Sequence, residues 1–141
     1  MANKFNLDLK LRKFDLLKRT LPRVIGNMAV NHFRQSFKSG GFTDGNFQAW
    51  PKRKPGSKRN AGRAILVDSG ALKNSILMKD ATFDKIRISS EGLAYADVHN
   101  RGLRAGRGRG FKMPKRKFMG NSKKLQKDMR VKINSSIRSI F

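Results

Sequence analysis

Few side chains in this sequence could carry acid–base catalysis, and the most suggestive pair lies in one short segment. Asp97 and His99 are two positions apart, which would place both on one face of a β-strand. There the carboxylate could orient the imidazole as a general base. Hydrolysis would also need a nucleophile, and no nucleophile-elbow motif surrounds Ser69, Ser75 or Ser122. We therefore expect the protein not to be an enzyme.

Metal and cofactor chemistry have little more support. The chain has no cysteine, which excludes disulfides, thiolate metal sites and thiol nucleophiles. Among the nine acidic residues, only Asp80 and Asp84 are spaced like oxygen ligands, and they fall at a predicted turn. The glycines between 102 and 110 match neither the Walker spacing nor the dinucleotide-binding spacing. We expect no metal and no cofactor.

Positive charge is the strongest chemical signal in the sequence. The 33 Lys and Arg residues outnumber the 9 Asp and Glu residues, which gives a formal net charge of +24 at pH 7. Self-repulsion of this kind destabilises a compact monomer unless a polyanion or an acidic protein neutralises it. The composition therefore predicts either nucleic acid or an acidic protein as the partner.

The basic residues concentrate in two predicted loops. Residues 98–127 contain eleven Lys and Arg and no Asp or Glu, which is too one-sided for an ordinary solvated loop. Arginine and glycine alternate there, and such a backbone can follow phosphates without reading base sequence. We predict that at least one loop faces DNA or an acidic neighbouring subunit. The residues assigned to this role are Lys52, Arg53, Lys54, Lys58, Arg59 and Arg63 in the loop at 52–63, and Arg101, Arg104, Arg107, Arg109, Lys112, Lys115, Arg116 and Lys117 in the loop at 101–117.

Apolar spacing predicts the helices that carry these loops. Apolar residues at intervals of three and four predict an N-terminal helix to about Phe37, with a break where Thr20 would cap a new helix and Pro22 would follow in its first turn. His32 is then a partly buried helix residue. Apolar residues at intervals of four from Leu125 to Ile137 predict a closing amphipathic helix with Ser122 as its N-cap.

The middle of the chain predicts short strands and turns. Residues 42–63 have the pattern of a loop, and residues 68–72 that of a capped helical turn. Ile76, Met78, Ile86 and Ile88 predict a hairpin that turns near residues 80–84, and residues 93–98 predict a third strand. We expect a single α+β domain over residues 1–141, with a long N-terminal helix, a small antiparallel sheet, a C-terminal amphipathic helix and two basic loops. No apolar stretch is long enough to predict a membrane span.

Four short segments, in order, resemble the phage virion morphogenesis family, the Mu-like tail-completion proteins, and more loosely the small neck and tail-completion proteins of siphophages. They are residues 32–37 with 47–51, residues 65–76, residues 95–102 and residues 113–120. The last keeps the family pattern Pro-x-Arg-x-Phe as Pro114-Lys115-Arg116-Lys117-Phe118. The residues to which we assign a structural role in these segments are Trp50, Gly70, Leu72, Tyr95, His99, Gly102, Pro114 and Phe118.

The resemblance implies a structural virion protein that forms a homo-oligomeric ring, expected to be a hexamer, in the neck or at the head-proximal end of the tail. It implies adjacent neck or tail proteins as partners, acidic ones by charge, and genome DNA in the lumen as a further candidate. Synthesis in the host cytoplasm is expected. The alternative, from composition alone, is a monomeric basic protein that binds nucleic acid without sequence specificity.

Overall fold

Helix α1 runs without interruption from Ala2 to Ser39 in the computed structural model, which describes residues 2–56, 58 and 61–141. Pro22 lies inside this helix, so the predicted break is wrong. The Thr20 hydroxyl donates to the Leu16 carbonyl oxygen at 3.1 Å instead of capping a new helix. Pro22 is buried, as are Leu21 and Ile25, and burial of this stretch favours a continuous helix although proline donates no backbone hydrogen bond.

A small hairpin follows α1 where the sequence predicted a loop. The chain leaves the helix at Gly40, whose positive φ of 69° is the usual end of a helix. Strand β1 (Gly41–Thr43) then pairs with antiparallel strand β2 (Phe47–Ala49). The loop prediction is therefore wrong for these residues, apart from the hairpin turn that contains Asp44 and Gly45.

The hairpin predicted from the sequence is confirmed, and it is the second along the chain. After the short helix α2 (Ala71–Asn74), strand β3 (Ile76–Ala81) pairs with antiparallel strand β4 (Ile86–Ser90). Opposite side chains of the two strands make an ion pair between Arg87 and Asp80 at 2.8 Å. Helix α2 begins after Gly70, which has a positive φ of 84°.

The predicted third strand is wrong, because residues Tyr95–Arg101 form helix α3. Tyr95 and His99 lie one helical turn apart and their rings meet edge to face, with centroids 6.1 Å apart. A third hairpin follows, formed by strands β5 (Arg104–Ala105) and β6 (Phe111–Lys112). The described strands thus form three separate two-stranded hairpins rather than one sheet.

The C-terminal helix α4 (Lys123–Arg138) confirms the prediction, including its cap. The Ser122 hydroxyl accepts from the Leu125 backbone N–H at 3.2 Å and donates to the Thr43 carbonyl oxygen at 2.7 Å. It therefore caps the helix and joins it to β1.

Most buried apolar residues form one cluster, to which α1, α2, α3, α4 and the first two hairpins contribute, so the predicted α+β class is confirmed. At its centre Phe37 meets Trp50 at a centroid distance of 5.5 Å and Phe118 at 5.3 Å. Ile76 is fully buried beside them. No helix in the described part of the chain is long and apolar enough to cross a membrane.

Candidate partner-facing surface and basic cleft

Helix α3 is fastened to the segment Met113–Gly120, which we call the return segment, by the side chain of Asn100. Its carbonyl oxygen accepts from the backbone N–H groups of Phe118 at 2.9 Å and Met119 at 3.1 Å. Its amide nitrogen donates to the Met119 carbonyl oxygen at 3.1 Å. Sequence reasoning did not single out Asn100, because its partners lie 18 and 19 positions away and no local pattern marks them.

Gly102 brings the end of α3 against the same segment. It has a positive φ of 69°, and a Cβ atom there would lie 2.8 Å from the Lys115 Cβ. The Arg116 backbone N–H donates to the His99 carbonyl oxygen at 2.8 Å in the same region. The family-like segments at 95–102 and 113–120 therefore form one structural unit.

Trp50 has the anchoring role expected of a single tryptophan near a turn. Its ring is 5% exposed, and Nε1 donates to the Lys117 carbonyl oxygen at 2.7 Å. Phe118, next to that carbonyl, is 1% exposed. The other residues given a structural role differ in burial: Leu72 is buried, Gly70 and His99 are half-buried, and Tyr95 and Pro114 are exposed.

The second basic loop divides into two parts. The hairpin tip, which we define as Arg104–Lys112, carries exposed cations at Arg104, Arg107, Arg109 and Lys112. Arg116 is only 7% exposed, so the prediction that the whole segment projects as a loop is wrong at its end. Lys117 is half-buried and its ammonium lies 4.5 Å from the centre of the Phe42 ring. Arg101 and Lys115 are exposed.

The first basic loop is irregular, and its exposed cations are Lys52, Lys54, Lys58 and Arg63. Arg53 is half-buried and donates to the carbonyl oxygens of Arg63 at 3.0 Å and Ala64 at 2.7 Å. Arg53 therefore closes the loop on itself. Arg59 lies outside the described residues.

Most acidic residues are paired with basic residues of the same chain. The acids in ion pairs are Asp15, Asp68, Asp80, Glu91, Asp97 and Asp128. The Asp44 carboxylate accepts from the Lys123 backbone N–H at 2.8 Å. Because these acids are already paired within the chain, few carboxylates are left to neutralise the excess Lys and Arg residues that make up the formal +24.

Asp97 and His99 do not form the acid–base pair considered from the sequence. The Asp97 carboxylate pairs with Arg101 Nε at 3.2 Å along α3. His99 Nδ1 is buried and has no hydrogen-bond partner. Burial and the charge of Arg116 lower the pKa of His99 below its ordinary value of 6.5. In the described part of the chain, no group of three or more His, Asp or Glu residues could hold a metal ion.

His32 has the partly buried position expected from the sequence. Its Nε2 donates to the Thr43 carbonyl oxygen at 3.0 Å, and its ring meets Phe42 edge to face. Burial lowers its pKa below 6.5, against an opposing contribution from the Thr43 hydrogen bond. His32 thus supports the contact between α1 and β1.

A cleft of about 380 Å³ lies between the first basic loop, α2 and α3. Arg53 and Arg116 line it from one side, and Tyr95 and His99 from α3. The remaining wall is the segment 66–72, in which Leu66 has a positive φ of 61°. A non-glycine residue held in this conformation marks local strain of about 1–2 kcal/mol.

The family model for the phage virion morphogenesis family matches residues 8–138. No curated protein and no solved structure matches the chain. The match covers nearly the whole chain, including the unit formed by α3 and the return segment. The chain therefore belongs to the phage virion morphogenesis family, which supports a structural role in phage assembly.

Proposed function

We propose that this protein is a tail-completion or neck protein that forms a ring at the junction of the phage head and tail. The observation that carries the proposal is the family match over residues 8–138. The role is stoichiometric: each copy adds to a preformed surface and holds there by apolar contact and charge complementarity. The protein is then a component of the virion.

Exposed apolar side chains on α1 support self-association. Leu7, Leu11 and Leu16 are 53%, 49% and 62% exposed. A ring interface buries apolar side chains of this kind. Contact between neighbouring copies through this part of α1 would therefore remove apolar surface that the isolated chain leaves in water.

The distribution of charge supports an anionic environment for the ring. Each copy adds a formal +24, so a ring of about six copies needs compensation from acidic neighbours or from DNA in its lumen. The exposed cations at the hairpin tip, at Arg104, Arg107 and Arg109, are placed to meet such a partner. We propose that they face DNA or an acidic subunit in the particle.

Imaging of the head–tail junction, at a resolution that traces this chain, tests the proposal. We expect a closed ring of this protein at the junction, with the hairpin tip against DNA or acidic side chains. Absence of the chain from virions, together with a monomer in solution that binds any duplex, would instead favour the non-specific nucleic-acid binder.

A pair of variants tests the role of α1 in the ring. Replacing Leu7 and Leu11 together with lysine should abolish ring formation, measured as the native mass of the assembled protein. The matched control is Leu77→Lys, on strand β3, where the leucine is 46% exposed. The control should leave the ring intact, and equal loss of assembly in both proteins would contradict the proposed interface.

A further inference from the structure

The cleft between the first basic loop and α3 is lined by Arg116, which has no paired anion among the described residues. Arg116 is 7% exposed and donates to the carbonyl oxygens of Pro51 at 3.0 Å and Lys52 at 3.3 Å. These carbonyls carry only partial charge. In the region that the structure describes, Arg116 makes no ion pair with a carboxylate.

The neighbouring charge increases this imbalance. Burial and the charge of Arg53 lower the pKa of Arg116, but a guanidinium remains protonated at neutral pH. Asp68 also lines the cleft, and its carboxylate is paired with Arg63. A guanidinium has five N–H donors, so the two bonds to Pro51 and Lys52 leave donors for a ligand.

The side chain of His99 lines the same cleft. Its Nδ1 is buried without a hydrogen-bond partner, and a neutral imidazole can carry its proton on that nitrogen. Nδ1 itself lies beneath the cleft surface, so the part of the ring that lines the cleft is not this atom. Arg116 therefore calls for an acceptor that carries negative charge, and the His99 ring lies in the same cleft.

The walls of the cleft select the kind of anion. Leu66, Val67, Leu72 and Tyr95 give it apolar sides, and its volume of about 380 Å³ accommodates a side chain with its neighbouring atoms. Duplex DNA presents its phosphates on a wide convex surface, which meets exposed cations more easily than a recessed one such as Arg116. The chemistry of the cleft therefore fits a carboxylate on a peptide.

We propose that this cleft binds an aspartate or glutamate side chain from an acidic segment of a neighbouring virion protein, with Arg116 supplying charged N–H donors, Arg53 adding positive charge and the His99 ring lining the site. The identity of the neighbour rests on the proposed function, because such a protein meets the cleft only in an assembled particle. The exposed cations of the hairpin tip would remain available to DNA or to other acidic surfaces.

A titration of the full-length protein with short peptides tests the proposal. The probe is the acetylated and amidated peptide Ala-Glu-Glu-Leu, and its matched control is Ala-Gln-Gln-Leu. Because the chain has two histidines, the imidazole resonances of His99 report on the cleft and those of His32 serve as an internal control. We expect the glutamate peptide to shift the His99 resonances and leave those of His32 in place.

Charge-removing variants locate the binding site. Arg116→Gln should weaken binding of the glutamate peptide roughly tenfold or more, since it removes a charged hydrogen-bond donor. Arg107→Gln at the hairpin tip removes the same charge outside the cleft and should have little effect. Thermal unfolding shows whether the Arg116→Gln protein is folded. If it is not, the titration of the wild-type protein with the two peptides still tests the proposal.

Three results would overturn the proposal: equal shifts with the glutamine peptide, equal shifts at both histidines, or a shift at His99 with short duplex DNA and none with the glutamate peptide. The last result would assign the cleft to phosphate. These measurements use the isolated protein, so failure here leaves a ring at the head–tail junction intact. Absence of that ring would likewise leave carboxylate binding in the titration unaffected.

Discussion

The hairpin tip and the return segment are adjacent and both rich in basic residues, yet their surroundings are opposite. Cations of the tip are exposed, whereas Arg116 and Phe118 of the return segment are 7% and 1% exposed. The difference arises because Asn100 and Trp50 bind the backbone of the return segment. Basic composition therefore does not by itself identify a solvent-facing arm, and burial depends on which backbone groups the core engages.

The largest expected effect comes from replacing one phenylalanine in each region, the return segment and the hairpin tip. Phe118→Ala should lower the free energy of unfolding by about 3–5 kcal/mol, because it leaves a cavity beside Phe37. Phe111→Ala at the tip, where the ring is 57% exposed, should change it by no more than about 0.5 kcal/mol. Urea denaturation measures both, and similar losses would mean that the tip contributes to the core.

Asn100→Ala should have the next largest effect. It removes the acceptor used by the Phe118 and Met119 N–H groups and the donor used by the Met119 carbonyl, at a cost of about 2–3 kcal/mol in the free energy of unfolding. Asn100→Asp keeps the acceptor for both N–H groups but turns a carboxylate oxygen toward the Met119 carbonyl, so any stability it retains over Asn100→Ala measures the acceptor role. If the two variants are equally unstable in urea, the acceptor role is not the main contribution.

Substitutions at two glycines distinguish the effect of close packing on stability from the effect of backbone conformation. Gly102 and Gly108 have similar positive φ values of 69° and 64°, but only the Gly102 position is crowded, by Lys115. Gly102→Ala should therefore be less stable than Gly108→Ala by about 1–2 kcal/mol. Thermal unfolding of both variants measures the difference, and equal values would show that the return segment moves aside without cost.

The smallest expected effect is on the pH dependence of stability. Because the pKa of His99 is lowered in the folded protein, the unfolded chain binds more protons below pH 6.5 and stability should fall as the solution is acidified through this range. His99→Gln should reduce that fall, leaving the part due to His32, whose pKa is also lowered. Lys112→Gln at the tip should leave it unchanged. Urea titrations at several pH values would contradict this if all three proteins showed the same slope.

The elements predicted correctly are those that local sequence determines. Helix α4 repeats its apolar residues at helical spacing, and its cap Ser122 lies three positions before Leu125, to whose N–H it bonds. The β3–β4 hairpin similarly has its strands and turn in one short stretch. In these cases neighbouring residues contain the information that fixes the structure.

The predictions fail where contacts between residues far apart in the sequence determine the structure. Pro22 lies in a buried stretch of a continuous α1, and part of the strand predicted at residues 93–98 belongs to helix α3, which Asn100 fastens to the return segment. Arg116 is fixed by the Pro51 carbonyl, 65 positions away, so its sequence neighbours give no sign of its burial. The exposure of the tip cations could be predicted because they do not pack against the core.

The uninterrupted helix α1 has a geometric consequence for any assembly. At 1.5 Å per residue, its 38 residues extend about 57 Å. A compact chain of 141 residues has a radius of gyration of about 14 Å, which corresponds to a sphere about 37 Å across. The helix is therefore longer than such a sphere is wide. In the ring that we propose, neighbouring subunits would have to accommodate this reach, so the length of α1 would limit how closely two copies approach along its axis.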